Sequence, residues 1–173
     1  MKIRTLQAGD GERLLKFELE NRAWFEQHVE ARGAHFYSAD GVAAHIGDYL
    51  EAHRAGALHP CVLLDDDGAI IGRANLRRID RIAGTGEVGY RIAHSQARKG
   101  LGSQALARLV QLAQDQYGLH HLNAWISDSN LGSRRIMEKC GFVRAALAAP
   151  EPVLVGGVAH DSFLYQCQLA DRP

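Results

Sequence analysis

The spacing of apolar positions predicts helices on both sides of an irregular N-terminal segment. Residues 2–6 alternate between apolar and polar side chains, as in a short strand. Residues 9–22 and 39–55 instead place apolar side chains at helical spacing. The segment 24–37 between them has no steady period, so we expect irregular or partly helical structure there.

The period then changes to short apolar runs separated by turn residues, which predicts an antiparallel meander over residues 60–92. The run at 61–64 is followed by Asp65-Asp66-Asp67-Gly68, a strong hairpin signal. The return strand reaches Ile79, and a third strand covers 87–92.

A helical period returns after Gly100 and stops at Gly118. The remaining predicted elements are strands at 121–126, 142–147 and 161–169 and a helix from about 131 to 140. This order predicts the α+β class, with a mixed, mostly antiparallel central sheet flanked by helices.

Composition narrows the classes of function. A chain of 173 residues is predicted to form one domain, 1–173, and its formal net charge is zero. A neutral balance argues against binding to nucleic acid or to a membrane surface. No apolar stretch approaches the length of a bilayer span, and the strand-like start predicts no signal peptide.

The cysteines and histidines suggest neither a disulfide framework nor a metal site. Cys61, Cys140 and Cys167 are far apart, so a reducing cytoplasm is the expected location. The nine histidines show no spacing typical of metal ligands, and we expect no metal. The oligomeric state stays open, a homodimer included.

The most informative segment is Arg98-Lys99-Gly100-Leu101-Gly102-Ser103, between a predicted strand and a predicted helix. Glycines let the backbone approach a ligand, and the first N–H groups of a helix form an anion site. The loop therefore suits a phosphate or diphosphate. Two other interpretations are a turn that only starts a helix and a dinucleotide fingerprint, Gly100-x-Gly102-x-x-Ala105 with Asp128. The preceding antiparallel strands disfavour the fingerprint, and a P-loop lacks its Gly-Lys-Ser/Thr tail.

Three ordered segments together resemble the GCN5-related N-acetyltransferase (GNAT) family. Arg98-Lys99-Gly100-Leu101-Gly102-Ser103 resembles its acetyl-CoA loop, and residues 130–142, from Asn130 to Phe142, resemble its later N-x-x-S … E-K-x-G-F segment. Glu87-Val88-Gly89-Tyr90-Arg91-Ile92 resembles the central strand, especially that of the RimJ/RimL-like branch that acetylates ribosomal-protein N-termini. The resemblance covers residues 60–169 well and the N-terminal third loosely.

The resemblance implies a fold in which two central strands splay apart, with acetyl-CoA as the co-substrate. The diphosphate would lie on the loop formed by Arg98, Lys99, Gly100, Leu101, Gly102 and Ser103. Backbone groups near Ile92 and Ala93 would bind the pantetheine arm, and Asn130 would contact the cofactor. Ser133 would lie near the thioester or the leaving thiol.

The resemblance also implies a role for Glu87 as the base that takes the ammonium proton. The alternative role of Glu87 is an exposed strand-end carboxylate paired with Arg91, and that of Ser133 is an ordinary helix-surface serine. Two positions depart from the family. Ala97 stands where Gln or Arg is common, and Met137 stands where relatives often place a general-acid tyrosine.

The N-terminal helices and their connection are expected to build the acceptor site. The candidate lining residues are Trp24, Phe25, His28, His35, Phe36 and Tyr37, and ordinary packing of these residues is the alternative. The predicted function is acetyl transfer to a primary amine, favoured to be a protein N-terminus such as that of a ribosomal protein. A polyamine, amino acid or antibiotic amine is the alternative acceptor, and a non-catalytic acyl-CoA-binding module is the alternative class.

Overall fold

A computed structural model describes residues 1–149 and 151–170. The α-helices are α1 (Gly11–Glu20), α2 (Arg22–Glu26), α3 (Ala39–Arg54), α4 (Leu101–Asp115) and α5 (Leu131–Lys139). The strands are β1 (Lys2–Thr5), β2 (Leu58–Leu64), β3 (Ile70–Asp80), β4 (Thr85–Ile92), β5 (His121–Ser127), β6 (Val143–Ala148), β7 (Val153–Val155), β8 (Val158–His160) and β9 (Ser162–Gln168).

Seven strands form one sheet in the order β1-β2-β3-β4-β5-β9-β6, and β7 and β8 form a separate hairpin. Every neighbouring pair is antiparallel except β4 and β5, which run parallel. The α+β class and the meander over 60–92 are therefore confirmed.

Helices cover both faces of the sheet, so the core has two parts. On one face α4 packs with Cys61, Leu63 and Met137, and on the other α1 and α3 pack with Val62 and Leu64. Because side chains alternate along a strand, β2 supplies both layers, and all seven of its residues are buried. This explains why the sequence of β2 at 61–64 is a continuous apolar run rather than an alternation of apolar and polar residues.

The predicted helix at 9–22 is interrupted at Asn21. The side-chain nitrogen of Asn21 donates to the Phe17 carbonyl at 2.8 Å, and its side-chain oxygen accepts from the His94 N–H at 2.9 Å. These bonds compete with regular helix bonding, so α1 ends and α2 starts in a new direction. Asn21 thereby fixes the N-terminal helices to the segment that follows β4.

The hairpin β7–β8 was missed because its strands have only three residues each. Its turn residues, Gly156 and Gly157, have φ of 58° and 80°, as a tight two-residue hairpin turn requires. The Gly-Gly pair was the available sequence signal.

None of the helices in the described part of the chain is both long enough and apolar enough to cross a bilayer.

Candidate active site

The site lies where β4 and β5 part. Their pairing begins at Thr85 and His121 and ends at Glu87 and Asn123, although both strands continue. The splayed pair expected from the family resemblance is therefore present. The split opens the centre of the sheet to both faces.

Two cavities meet at this split. The loop cavity, about 600 Å³, lies against the start of α4, and the arginine cavity, about 730 Å³, lies over the faces of β3 and β4. They share a wall whose polar members are His28, Tyr90, Arg91, Asn130 and Ser133. A group bound in one cavity can therefore contact a group bound in the other.

The start of α4 is shaped to bind an anion. Arg98 and Gly100 have φ of 63° and 79°, which turns the chain sharply into the helix. The N–H groups of Leu101, Gly102 and Ser103 are in the first turn, where a helix supplies no carbonyl partner and its dipole is positive. The loop cavity is lined by five residues of the predicted cofactor loop: Arg98, Gly100, Leu101, Gly102 and Ser103. Lys99 lies outside the lining, and its ammonium donates to the Gln96 side chain at 3.2 Å.

The two glycines are needed for different reasons. A Cβ on Gly100 would meet open space, so Gly100 serves its left-handed backbone. A Cβ on Gly102 would come within 2.8 Å of the Ile136 side chain and 3.3 Å of the Tyr90 ring. Gly102 therefore lets the first turn of α4 press against α5 and β4.

Positive charge in the loop cavity also comes from α5, which sequence reasoning missed. Arg135 and Lys139 lie one helical turn apart and line the cavity opposite the glycine loop. Ala97 lines the same cavity without a charge. Arg135 and Lys139 therefore bring positive charge to a cavity where Ala97 brings none, and the sequence signal was the basic i, i+4 pair in α5.

The backbone of β4 has an open edge toward the split, but not at Ala93. The Ala93 N–H donates to the Ile71 carbonyl at 2.9 Å, and its carbonyl accepts from the Gln96 N–H at 2.9 Å. The expectation that backbone groups of Ala93 are free is therefore corrected. In an antiparallel pair, hydrogen-bonded and non-hydrogen-bonded positions alternate. The backbone N–H and C=O groups of Tyr90 and Ile92 therefore point away from β3 and toward the split.

Ser133 is held between a cap and a tyrosine. Asn130 caps α5, because its side-chain oxygen accepts from the Ser133 N–H at 3.0 Å. The Ser133 hydroxyl lies 3.0 Å from the Tyr90 hydroxyl, and burial raises the pKa of Tyr90 to about 12. Tyr90 is therefore neutral and keeps its hydroxyl proton at the shared wall, whereas Met137 is fully buried and has no proton to give. Tyr90 was not singled out from the sequence.

Glu87 lies at the last paired position before the split, but it does not line either cavity. One carboxylate oxygen accepts from Arg78 at 2.7 Å, and the other lies 3.9 Å from Arg77. The alternative pairing with Arg91 is not found, because Arg91 donates to Glu18 at 3.5 Å.

The predicted acceptor residues separate into two groups. Trp24, Phe25 and His28 line the loop cavity, and His28 also lines the arginine cavity. Burial, and then the nearby His94, lower the pKa of His28, so its imidazole is neutral at pH 7.

The second group does not line either cavity and consists of His35, Phe36 and Tyr37. The Arg32 guanidinium stacks on the Phe36 ring at 4.0 Å, and that of Arg22 stacks on Tyr37 at 4.3 Å. Phe36 thus packs against Arg32, which lines the arginine cavity.

The arginine cavity contains a charge cluster that the sequence did not reveal. Arg73 and Arg91 are directly opposite on β3 and β4, and Arg32 comes from the connection after α2. All three approach Glu18, a fully buried carboxylate on α1. Like charges directly across a strand pair repel, so this arrangement depends on Glu18.

Comparison with known proteins identifies the family. Residues 1–143 match the acetyltransferase (GNAT) domain. The protein named Probable N-acetyltransferase YjcK, from Bacillus subtilis strain 168, is 31% identical over 161 residues, which cover 92% of this chain and 88% of YjcK.

Solved structures show the same fold at lower identity. The ribosomal-protein-S5-alanine acetyltransferase from Vibrio fischeri matches with a TM-score of 0.90 and 21% identity, over 99% of this chain and 94% of that one. The spermidine N-acetyltransferase SpeG from Vibrio cholerae, an F149A mutant, matches with a TM-score of 0.77 and 20% identity, over 98% and 95%. RimL in complex with coenzyme A and RimJ from Mycobacterium smegmatis match as well.

The resemblance to the GNAT family stated from the sequence is therefore confirmed. RimJ and RimL share the fold of this chain. The chain belongs to the GNAT family and is an acetyl-CoA-dependent N-acetyltransferase.

Proposed function

We propose that this enzyme acetylates the N-terminal amine of a peptide or protein, with acetyl-CoA bound in the loop cavity and the acceptor in the arginine cavity. The observation that carries the proposal is the split. It leaves the edges of β4 and β5 facing one another, and Trp125, Ile126 and Ser127 of β5 line the arginine cavity. An extended chain can add its backbone to such an edge, which a small amine does not need.

The loop cavity suits coenzyme A along its length. The N–H groups of Leu101, Gly102 and Ser103 and the side chains of Arg98, Arg135 and Lys139 would hold the diphosphate. The open backbone groups of Tyr90 and Ile92 would pair with the amides of the pantetheine arm. Bound acetyl-CoA supplies the acetyl group as a thioester.

The transfer forms an amide bond, breaks the thioester C–S bond and needs two proton movements. The acceptor ammonium loses one proton to a base before its nitrogen attacks. The nitrogen loses a second proton as the amide forms, and the leaving thiolate takes up that proton. Ser133 would donate a hydrogen bond to the sulfur, while Tyr90 donates to the Ser133 hydroxyl and fixes its direction. Ser133 thereby takes the role that Met137 cannot perform.

Two side chains are proposed to accept the ammonium proton. Glu87, predicted from the sequence, lies near the split but behind Arg78. His28 lines both cavities and is neutral at pH 7, so its position favours it. An N-terminal amine has a pKa near 8, so little driving force is needed to deprotonate it.

Thiol release from acetyl-CoA tests the function directly. Short peptides with free N-termini should release thiol faster than spermidine or aminoglycosides at equal concentration. Saturating acetyl-CoA should also raise Tm, because a ligand that binds only the folded state stabilises it. A rise in Tm without turnover on any amine would instead favour a non-catalytic acyl-CoA-binding module.

A further inference from the structure

The arginine cavity has a positively charged wall that one buried carboxylate does not balance. Arg73 donates to Glu18 at 2.6 Å, Arg91 lies 3.5 Å from it and Arg32 lies 3.8 Å from it. All three arginines are among the residues that line the cavity, although Arg73 is almost fully buried, and Glu18 is fully buried. The lining also contains Glu30, but three arginines against the two carboxylates of Glu18 and Glu30 leave the net charge positive.

His45 adds no compensation to this cluster. Its Nε2 lies 2.6 Å from an Arg73 nitrogen and accepts its hydrogen bond. Burial, together with the repulsion of Arg73, Arg32 and Arg91, lowers the pKa of His45 to about 3. His45 is therefore a neutral acceptor, and it fixes the second arm of Arg73 without cancelling its charge.

The positive charges of the arginines also repel one another. Burial, and then the charge of Arg91, lower the pKa of Arg32 to about 10, and burial lowers that of Arg91 in the same direction. A structural ion pair would need one cation for one carboxylate. Buried charges in excess of their partners are costly, so an additional anion in the cavity would stabilise the cluster.

Two polar atoms in the lining lack a partner, and they suggest what binds. Within the described residues, Arg32 Nε and Asn75 Oδ1 are buried side-chain atoms without a hydrogen-bond partner. Asn75 lies on the same face of β3 as Arg73, and its partner on β4 is Gly89, which has no side chain. The residues that line the cavity therefore leave one positively charged donor and one neutral acceptor unsatisfied, which suit a carboxylate and an amine or amide N–H.

We propose that Arg32, Arg73 and Arg91 form an anion subsite, so that the acceptor carries a carboxylate close to the amine that is acetylated. This inference rests on the proposed function, because it assigns the acceptor to the arginine cavity. The carboxylate belongs either to an acidic side chain near a peptide N-terminus or to a free amino acid. A polyamine, which has only cationic groups, is repelled by the same wall.

Matched acceptors that differ only in charge test the proposal. One arm compares peptides with Glu or Gln at the second or third position, and the other compares free amino acids with their amides. We expect kcat/KM to be at least about tenfold higher for the charged member, since bidentate arginine–carboxylate contacts discriminate strongly. The preference should fall as NaCl is raised from 0.05 to about 0.5 M.

Variants separate the subsite from general charge effects. Arg32→Gln should bring the Glu/Gln ratio close to one. Arg22→Gln removes an equally charged side chain outside both cavities and should leave the ratio unchanged. The comparison of the two peptides in the wild-type enzyme stands even if Arg32→Gln does not fold.

The outcomes distinguish the subsite from the peptide acceptor. The anion subsite is overturned if the Gln peptides, and any amino-acid amides that react, turn over as fast as their charged counterparts or faster. That result would leave peptide acetylation intact. A charge preference with amino acids alone supports the subsite and overturns the peptide acceptor. Turnover with spermidine alone, or with no acceptor at all, contradicts both.

Discussion

The hydroxyl of Tyr90 lies 3.0 Å from the hydroxyl of Ser133 at the wall shared by the two cavities. β4 supplies one of these residues and α5 the other, so their contact bridges the open split. Because burial raises the pKa of Tyr90 to about 12, its hydroxyl keeps its proton across the working pH range and stays hydrogen-bonded to Ser133.

Removing either hydroxyl should slow turnover with little effect on acetyl-CoA binding. We expect Ser133→Ala to lower kcat about tenfold or more, and Tyr90→Phe to lower it about threefold, since each loses a hydrogen bond that acts on the leaving group. The double variant should be no slower than Ser133→Ala, which steady-state kinetics will show. Tyr117→Phe is the control, because it removes a buried hydroxyl bonded to His59 rather than to Ser133.

Substitutions at the two candidate bases should separate them. His28→Phe keeps a ring against Trp24 but has no basic nitrogen, and we expect kcat/KM to fall about 100-fold. Glu87→Gln breaks the pair with Arg78 and should cost less than about threefold. A large loss at Glu87 with a small loss at His28 would return the assignment to Glu87.

The cations of α5 should replace the missing side chain at Ala97. Arg135→Gln with Lys139→Gln removes two charges from the loop cavity, so we expect KM for acetyl-CoA to rise about tenfold. The dependence of KM on salt should weaken at the same time. Arg108→Gln, at a position outside both cavities, should change neither quantity.

Adding a methyl group at Gly102 should loosen the coenzyme A site. Gly102→Ala pushes the first turn of α4 away from Ile136 and Tyr90, so the Kd for coenzyme A measured by calorimetry should rise. Gly118→Ala, at the other end of the helix, strains a left-handed residue with open space around it. Gly118→Ala should lower the free energy of unfolding by about 1–2 kcal/mol, and therefore also Tm, without changing the Kd for coenzyme A. Equal effects of the two changes on Kd would contradict close packing as the role of Gly102.

Folding stability should decrease as the pH falls below 6.5. The pKa values of His45 and His59 fall to about 3 and about 4 in the folded protein, chiefly through burial. Between these values and 6.5 the unfolded chain binds protons that the folded chain does not, so acid favours unfolding. His45→Gln should flatten the plot of Tm against pH between 6.5 and 5, whereas the exposed His35 should not matter when changed to Gln.

The sequence predicted the local features because each has a short-range cause. The α4 stripe, the meander and the Gly100 loop follow from periodicity and turn residues within one element or between neighbours. The prediction of one helix over 9–22 was wrong at Asn21 because the cause there is long-range. The Asn21 side chain bonds to His94, 73 positions away, and a local pattern does not reveal such a bond.

The arginine cluster could not be predicted for a related reason. Glu18 and Arg73 are 55 positions apart, and Glu18 and Arg91 are 73 apart, so only the folded sheet brings them together. A sequence signal was present, because Arg73 interrupts the apolar run from Ile70 to Ala74, all of which is buried. A buried arginine demands a partner, but the pattern alone does not say which one.

The site of acetylation on a peptide tests the central claim most directly. A peptide with a free N-terminus, an acidic residue nearby and an internal lysine would be incubated with enzyme and acetyl-CoA and sequenced by tandem mass spectrometry. Transfer across the shared wall to an N-terminal amine predicts one acetyl group, on the α-amine, formed in step with thiol release. Acetyl on the lysine alone, or equal thiol release from the same peptide with its N-terminus blocked, would contradict it.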